Sequence, residues 1–290
     1  MTLDVELVID LHAQLGESPW WDQARQQLIF VDIVAGTLYR YGPLDDSLTA
    51  HEAGEPVGAA LRRSAGGVVL ALGSGLATWD EHGTPEMVCP IEADVPGNRL
   101  NDGTCDALGR LWVGSMAHDT TTGAGSLYCV EPDLSCRQVL RDVSISNGIG
   151  WNLDNTLMYY NDSKTGRVDV FDFDLGTGTL SGRRAFAELS AEDGEPDGLT
   201  VDAEGGVWIA SFGGGTVRRY TPEGLLDLMI PVPARKVTSL AFGGADWDDL
   251  YITTAAIDLD AAEKARHPAA GGIFRCRPGV RGRPDFPFRG

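Results

Sequence analysis

A short apolar, aromatic-rich run recurs along the chain: Leu28-Ile29-Phe30-Val31, Val68 to Leu72, Leu111-Trp112-Val113, Leu157 to Tyr160, Val207-Trp208-Ile209 and Leu250-Tyr251-Ile252. Each is followed by a Gly-containing stretch and a second short run, such as Leu38-Tyr39, Val168 to Phe171 or Ile273-Phe274. The spacing, roughly 44 residues, is that of propeller blades built from about four strands each. Helical periodicity is nearly absent; Leu259 to Arg266 reads as a turn or two of helix that Pro268 stops. The pattern predicts an all-β fold, a six-bladed β-propeller with four-stranded antiparallel blades, because a closed ring covers the faces and edges that one blade leaves open. Leu3, Val5, Leu7 and Ile9 alternate, with Asp4 and Glu6 between, which predicts a half-buried strand pairing into the last blade. No linker composition interrupts residues 1–290, so one domain is expected. The Arg/Pro/Gly tail from Arg277 to Gly290 reads as a loosely held terminus.

Composition narrows the function. The formal net charge of −19 excludes a nucleic-acid surface, which needs clustered cations. Its 43% hydrophobic content supports a real core despite that charge. No apolar run approaches the ~18 residues of a membrane span, so no membrane partner is expected. Asp4, Glu6 and Asp10 stand where a secretory signal would be basic and then apolar, and the expected location is cytoplasmic. The five cysteines form no C-x-x-C pair and are expected to be reduced, packed thiols. The five histidines are dispersed, and only His118 falls near candidate chemistry.

Counting back about 11 or 12 residues from each aromatic run gives Glu17, Gly58, Asn101, Asn147, Asp197 and Ser239. These positions precede the aromatic run, which is taken here as the channel-lining strand that opens each blade, so they should converge on the central axis. Asn-Gly, Asp-Gly and Ser-Pro are also ordinary turn signals. Turn chemistry, however, does not require the polar residue to keep one register through four repeats. Two carboxylates and two amides in a narrow channel would be costly to bury without compensation, and a divalent cation is the simplest one.

The segments Gly16-Glu17-Ser18-Pro19, Arg99-Leu100-Asn101-Asp102-Gly103, Ser146-Asn147-Gly148, Pro196-Asp197-Gly198 and Ser239 to Gly244 together resemble the SMP-30/gluconolactonase/regucalcin-like family of six-bladed metal-dependent lactonases. The resemblance covers nearly the full chain. It implies that Glu17, Asn147 and Asp197 bind one divalent metal, with Asn101 beside it and Arg99 contacting substrate. It also implies a substrate-contacting acid after Gly114-Ser115-Met116-Ala117. Many relatives have Glu there; this chain has His118-Asp119, which makes Asp119 the candidate contact.

An oxygen-donor set suits Ca²⁺, Mg²⁺ or Mn²⁺, and Zn²⁺ also uses three-ligand sites with an open position. The expected reaction is hydrolysis of a sugar lactone such as an aldonolactone, with Asp197 taking the proton of the attacking water or orienting a hydroxide. Arg99, Asn101 and Asp119 would hold the substrate hydroxyls. The alternative is a non-catalytic calcium- or ligand-binding propeller or an interaction scaffold, since propellers host unrelated functions. Asp102 reads as a turn residue, Tyr160 to Ser163 as a turn or the opposite channel end, and the tryptophans as packing residues. No G-x-S-x-G elbow, H-E-x-x-H helix or P-loop occurs.

Overall fold

The structure, a computed structural model, describes residues 3–290. Among the described residues antiparallel strands dominate, with one short α-helix, Ala261–Arg266, whose N-terminus is closed by Asp260 and Glu263 in a capping box. Four sheets have four strands each, hydrogen-bonded in chain order. The first group runs Gly16–Asp22, Gln27–Asp32, Thr37–Gly42, Ser47–Glu52, and the second Ala59–Arg62, Val68–Leu72, Gly75–Trp79, Glu86–Pro90. The third runs Asn98–Cys105, Leu111–Ala117, Gly125–Val130, Cys136–Val143, and the fourth Ser146–Trp151, Leu157–Asp162, Arg167–Asp174, Thr179–Glu188. The remaining eight-stranded sheet contains two further groups joined by a single residue pair, Phe212 with Lys236. Its earlier half is Glu195–Val201, Val207–Phe212, Thr216–Tyr220 and Leu226–Pro231; its later half is Lys236–Gly243, Asp249–Ala255, Ile273–Cys276 and Glu6–Ile9. The expected N-terminal strand is therefore present, with Glu6 opposite Arg275 and Leu7 opposite Phe274. Four-stranded antiparallel sheets of this kind are consistent with a propeller.

The aromatic runs are the second strands of their groups, not the first. Flanking groups cover both of their faces, so Val68–Leu72 and Leu111–Ala117 are buried throughout and appear in the sequence as continuous apolar runs. The fourth strands face water: Ser47–Glu52 has no buried residue. Six apolar clusters fill the spaces between groups. One joins Trp20, Ile29 and Val31 to Val68, Leu70 and Trp79, and another joins Trp21, Leu28 and Phe30 to Tyr251 and Ile273 of the last group. The first strands of successive groups touch one another, and Gly16–Asp22 also touches Lys236–Gly243. In the group that begins with Glu195–Val201, the connection from first to second strand is held by an acid that bonds its own turn. Asp202 Oδ1 accepts from Glu204 N at 2.9 Å and Gly206 N at 2.8 Å, while its Oδ2 accepts from Trp208 Nε1 at 2.8 Å.

The C-terminal tail corrects the expectation of a loose end. Phe288 is fully buried; its N–H donates to Arg62 O at 2.9 Å and its carbonyl accepts from Ser64 N at 2.8 Å. Gly282 N donates to Trp247 O at 2.8 Å, Ala203 N to Arg281 O at 2.8 Å, and Arg289 N to Gly109 O at 3.1 Å. The tail thus crosses the first-to-second connections of four groups. Backbone hydrogen bonds and one aromatic anchor hold it, which its Arg/Pro/Gly composition does not reveal. Among the described residues no helix is long and apolar enough to cross a membrane.

Candidate metal centre

The polar residues in phase with the repeat lie inside the first strands, at irregularities in their pairing. The register against the second strand shifts between Glu17 and Trp20, Leu100 and Gly103, Ser146 and Ile149, and Pro196 and Leu199. Such bulges release a residue from the ladder and re-aim its side chain. Glu17, Asn101, Asn147 and Asp197 are buried, and all four line one cavity of about 290 Å³ together with Arg99. That is close to the roughly 300 Å³ at which small-molecule pockets begin. Gly148 and Gly198 follow two of these residues because neighbouring first strands approach closely there, not because the chain turns. A Cβ on Gly148 would lie 2.5 Å from Asp197 O, and one on Gly198 2.2 Å from Ser239 Oγ.

Hydrogen bonds fix the orientation of the amides. Asn147 Nδ2 donates to Ser163 Oγ at 3.2 Å, Asn101 Nδ2 to Ser146 O at 2.9 Å, and Asn161 Nδ2 to Asp197 O at 2.6 Å. Tyr160 to Ser163 therefore belongs to this site, not to the opposite channel end. Its second strand runs back towards the start of the first, which brings Asn161 beneath Asp197 and Ser163 into the cavity wall. Arg99 Nη1 donates to Asn101 Oδ1 at 2.6 Å and to Leu100 O at 3.1 Å. Glu17 Oε2 accepts from Ser18 N at 3.1 Å. Asn147 Oδ1 and Asp197 Oδ1 are buried acceptors with no hydrogen-bond partner.

The charges at the site are unbalanced. Burial, then the charge of Asp102, pushes Glu17 up to about 8. Burial, then Glu17 and Asp102, holds Asp197 well above the usual carboxylate range. Asp102, whose Oδ1 accepts from Gly103 N at 2.7 Å, is pushed by burial up to about 6. Burial pushes Arg99 down to about 10, against the pull of Glu17 and Asp197. One guanidinium among three carboxylates leaves negative charge in excess, and unsatisfied buried oxygens cost free energy unless protons or a cation meet them. Among the described residues no three His, Cys, Asp or Glu side chains gather closely enough to hold an ion by themselves. The fit to a hard cation therefore depends on the amide oxygens, and the unpartnered Asn147 Oδ1 meets that need.

The sequence-derived candidates do not all converge. Asp119 is exposed and does not line the cavity; its Oδ1 accepts from Thr121 N at 3.0 Å and from Thr121 Oγ1 at 2.7 Å, so it closes its own turn. Its neighbours His118 and Thr120 line the cavity instead. Sequence reasoning also missed Lys164, Lys236, Phe212 and Asp258 in the wall, which Glu195 lines as well. Lys236 Nζ donates to Ile257 O at 2.6 Å and lies 5.3 Å from the Phe212 ring centroid, while Lys164 pairs with Glu195 at 3.1 Å. A signal was available: the chain has only three lysines, and the third, Lys264, lines an adjoining cavity that shares Ile257 and Asp258. The tryptophans pack between groups and none reaches this cavity.

Comparison with known proteins agrees with this architecture. Regucalcin of Oryctolagus cuniculus is 36% identical over 297 residues, covering 100% of this chain and 99% of that protein. The crystal structure of a calcium-binding protein, regucalcin, from Agrobacterium tumefaciens superposes with a TM-score of 0.95 at 30% identity, covering 100% of this chain and 98% of the other. A luciferin-regenerating enzyme superposes with a TM-score of 0.91 at 32% identity, covering 99% of both chains. Residues 15–256 match the model of the SMP-30/Gluconolactonase/LRE-like region, and the chain belongs to that family.

Proposed function

We propose that this chain is a divalent-metal-dependent lactonase that hydrolyses a sugar lactone, such as an aldonolactone, to the open-chain acid. In this reading residues 1–290 form one domain, a six-bladed propeller in which the eight-stranded sheet counts as two blades. The closed circuit of first-strand contacts and the six apolar clusters between groups support that count. The observation that carries the functional reading is the pair of unpartnered buried oxygens, Asn147 Oδ1 and Asp197 Oδ1, in the cavity that Glu17 also lines.

Glu17, Asn147 and Asp197 would hold the cation, whether Ca²⁺, Mg²⁺, Mn²⁺ or Zn²⁺, with Asn101 beside it. When bound, such an ion supplies Lewis-acid polarisation of the lactone carbonyl and stabilises the charge that develops on its oxygen. Arg99 and Asn101, already bonded to each other, present a fixed donor and acceptor array to the substrate hydroxyls. Water adds to the carbonyl carbon, its proton passes to Asp197, and the ring carbon–oxygen bond breaks as the ring oxygen takes up a proton. The position that the family resemblance gives to Asp119 falls to His118 and Thr120, which line the wall. Lys236 and Lys164 offer cations to the carboxylate that ring opening creates.

Proton release from a panel of aldonolactones, followed in metal-free protein and after addition of each cation, tests the reading. Turnover above spontaneous opening is expected with at least one cation. If none restores it, the enzyme reading fails in favour of an ion-binding propeller, a reading favoured by the calcium-binding description of the Agrobacterium relative.

A further inference from the structure

Two cysteines lie on the fourth strands of neighbouring groups, and neither lines the candidate metal centre. Cys89 lies in the fourth strand of the second group, Glu86–Pro90, and Cys136 opens the fourth strand of the third, Cys136–Val143. The hairpin between Val130 and Cys136, which face each other in the ladder, brings them together. Leu134 at its tip has a left-handed φ of 69° and packs against the apolar cluster that contains Cys89. Cys89 Sγ donates to Leu134 O at 3.5 Å. Cys136, two residues later, stands opposite Val130 in the ladder, and Val130 belongs to the same cluster as Cys89, so the Cys136 side chain points to the face that carries Cys89. Cys89 is buried, whereas Cys136 is exposed, the one cysteine of the five that departs from the expected packed thiols.

We propose that Cys89 and Cys136 are a redox couple that closes a reversible disulfide across the seam between the second and third groups, with a peroxide as oxidant. The Cys89 thiolate attacks one peroxide oxygen, the O–O bond breaks, and a sulfenic acid forms as hydroxide leaves. The Cys136 sulfur then attacks the Cys89 sulfur, a sulfur–sulfur bond forms, and the sulfenic oxygen leaves as water with the remaining thiol proton. The two thiols lose two electrons and two protons in all, and hydrogen peroxide is reduced to two waters.

The environments of the five thiols favour this pair. The Cys136 thiol beside it brings Cys89 down to about 7, against the opposing effect of burial. Burial pushes Cys129 and Cys276 up to about 12 and Cys105 well above the usual thiol range. The Cys89 interaction and burial push the Cys136 thiol up as well, so Cys89 is the thiol with appreciable thiolate at neutral pH. The seam also leads to the metal centre: Glu92, three residues after Cys89, accepts from Asn98 Nδ2, Ser115 Oγ and Tyr128 OH, each at 2.8 Å, just before the strand that carries Arg99.

The test is exposure of the full chain to hydrogen peroxide at pH 7.5, followed by thiol counting in denaturant and unreduced peptide mapping. The expected result is loss of two of the five thiols and a linked peptide pair containing Cys89 and Cys136, lighter by two hydrogens and restored by dithiothreitol. Cys136→Ser, at an exposed position, should leave no linked pair while its melting curve matches that of wild type, and the wild-type rate should rise as pH passes about 7. Five intact thiols, stable sulfinic acid without a link, or a link through Cys105, Cys129 or Cys276 would overturn the proposal.

Discussion

Replacing Glu17 by Gln separates the cost of the buried charge from the gain of the ion. In the metal-free chain Glu17 is pushed from its ordinary 4.5 up to about 8 by burial and by Asp102. A carboxyl whose folded value lies above its unfolded one binds more protons in the native state. Its contribution is therefore full at low pH and is lost as pH rises from about 4.5 towards 8. Between pH 5 and pH 7 the loss is about 2–3 kcal/mol. For 290 residues the unfolding entropy is about 0.6 kcal/mol/K, so this loss lowers Tm by roughly 4 °C. In chelator, Glu17→Gln should lose about 4 °C less than wild type over that interval and melt higher at pH 7. Ca²⁺ at about a hundred times its Kd should close that gap, because it stabilises its binder by about 2.7 kcal/mol, again roughly 4 °C, which the variant does not gain. Thermal melts by circular dichroism at the two pH values, with and without Ca²⁺, read all four cases. The reasoning fails if the variant follows the wild-type pH dependence in chelator, or if it gains as much from Ca²⁺.

Three other changes test separate parts of the account. Asp197→Asn should lower kcat on an aldonolactone by about 10²-fold or more while the far-ultraviolet spectrum is retained; unchanged turnover would remove Asp197 from the mechanism. Phe288→Ala should cost about 3 kcal/mol or more, a Tm loss of about 5 °C, because the tail's anchor is fully buried; an unchanged melt would return the tail to a loose terminus. Gly148→Ala should cost roughly 1–3 kcal/mol through the added Cβ against Asp197 O, measured as a shift in the urea midpoint.

What could be read from the sequence follows burial. The second strands have both faces covered, so Leu111–Ala117 and Val68–Leu72 are unbroken apolar runs and the repeat is visible at once. The first strands carry inward polar residues at bulges, and Asn98–Cys105 or Ser146–Trp151 therefore resembles a turn rather than a strand. That is why the aromatic runs, and not these strands, read as the opening of each repeat. The convergence of Glu17, Asn101, Asn147 and Asp197 was legible because a repeat carries equivalent positions to one axis. Lys236, Asp258 and Ser163 were not, since they enter the wall from connections and strand ends that the repeat does not constrain. Asp119 illustrates the same limit: one step along the chain separates a side chain in the wall from one that closes its own turn.

The central claim is that Glu17, Asn147 and Asp197 share one cation, and anomalous diffraction from crystals grown with Mn²⁺ measures it directly. The account predicts a single strong peak within about 2.1–2.6 Å of Asn147 Oδ1, Asp197 Oδ1 and a Glu17 carboxylate oxygen. A map with no peak there, or with the ion bound elsewhere while these oxygens stay unpartnered, would contradict it.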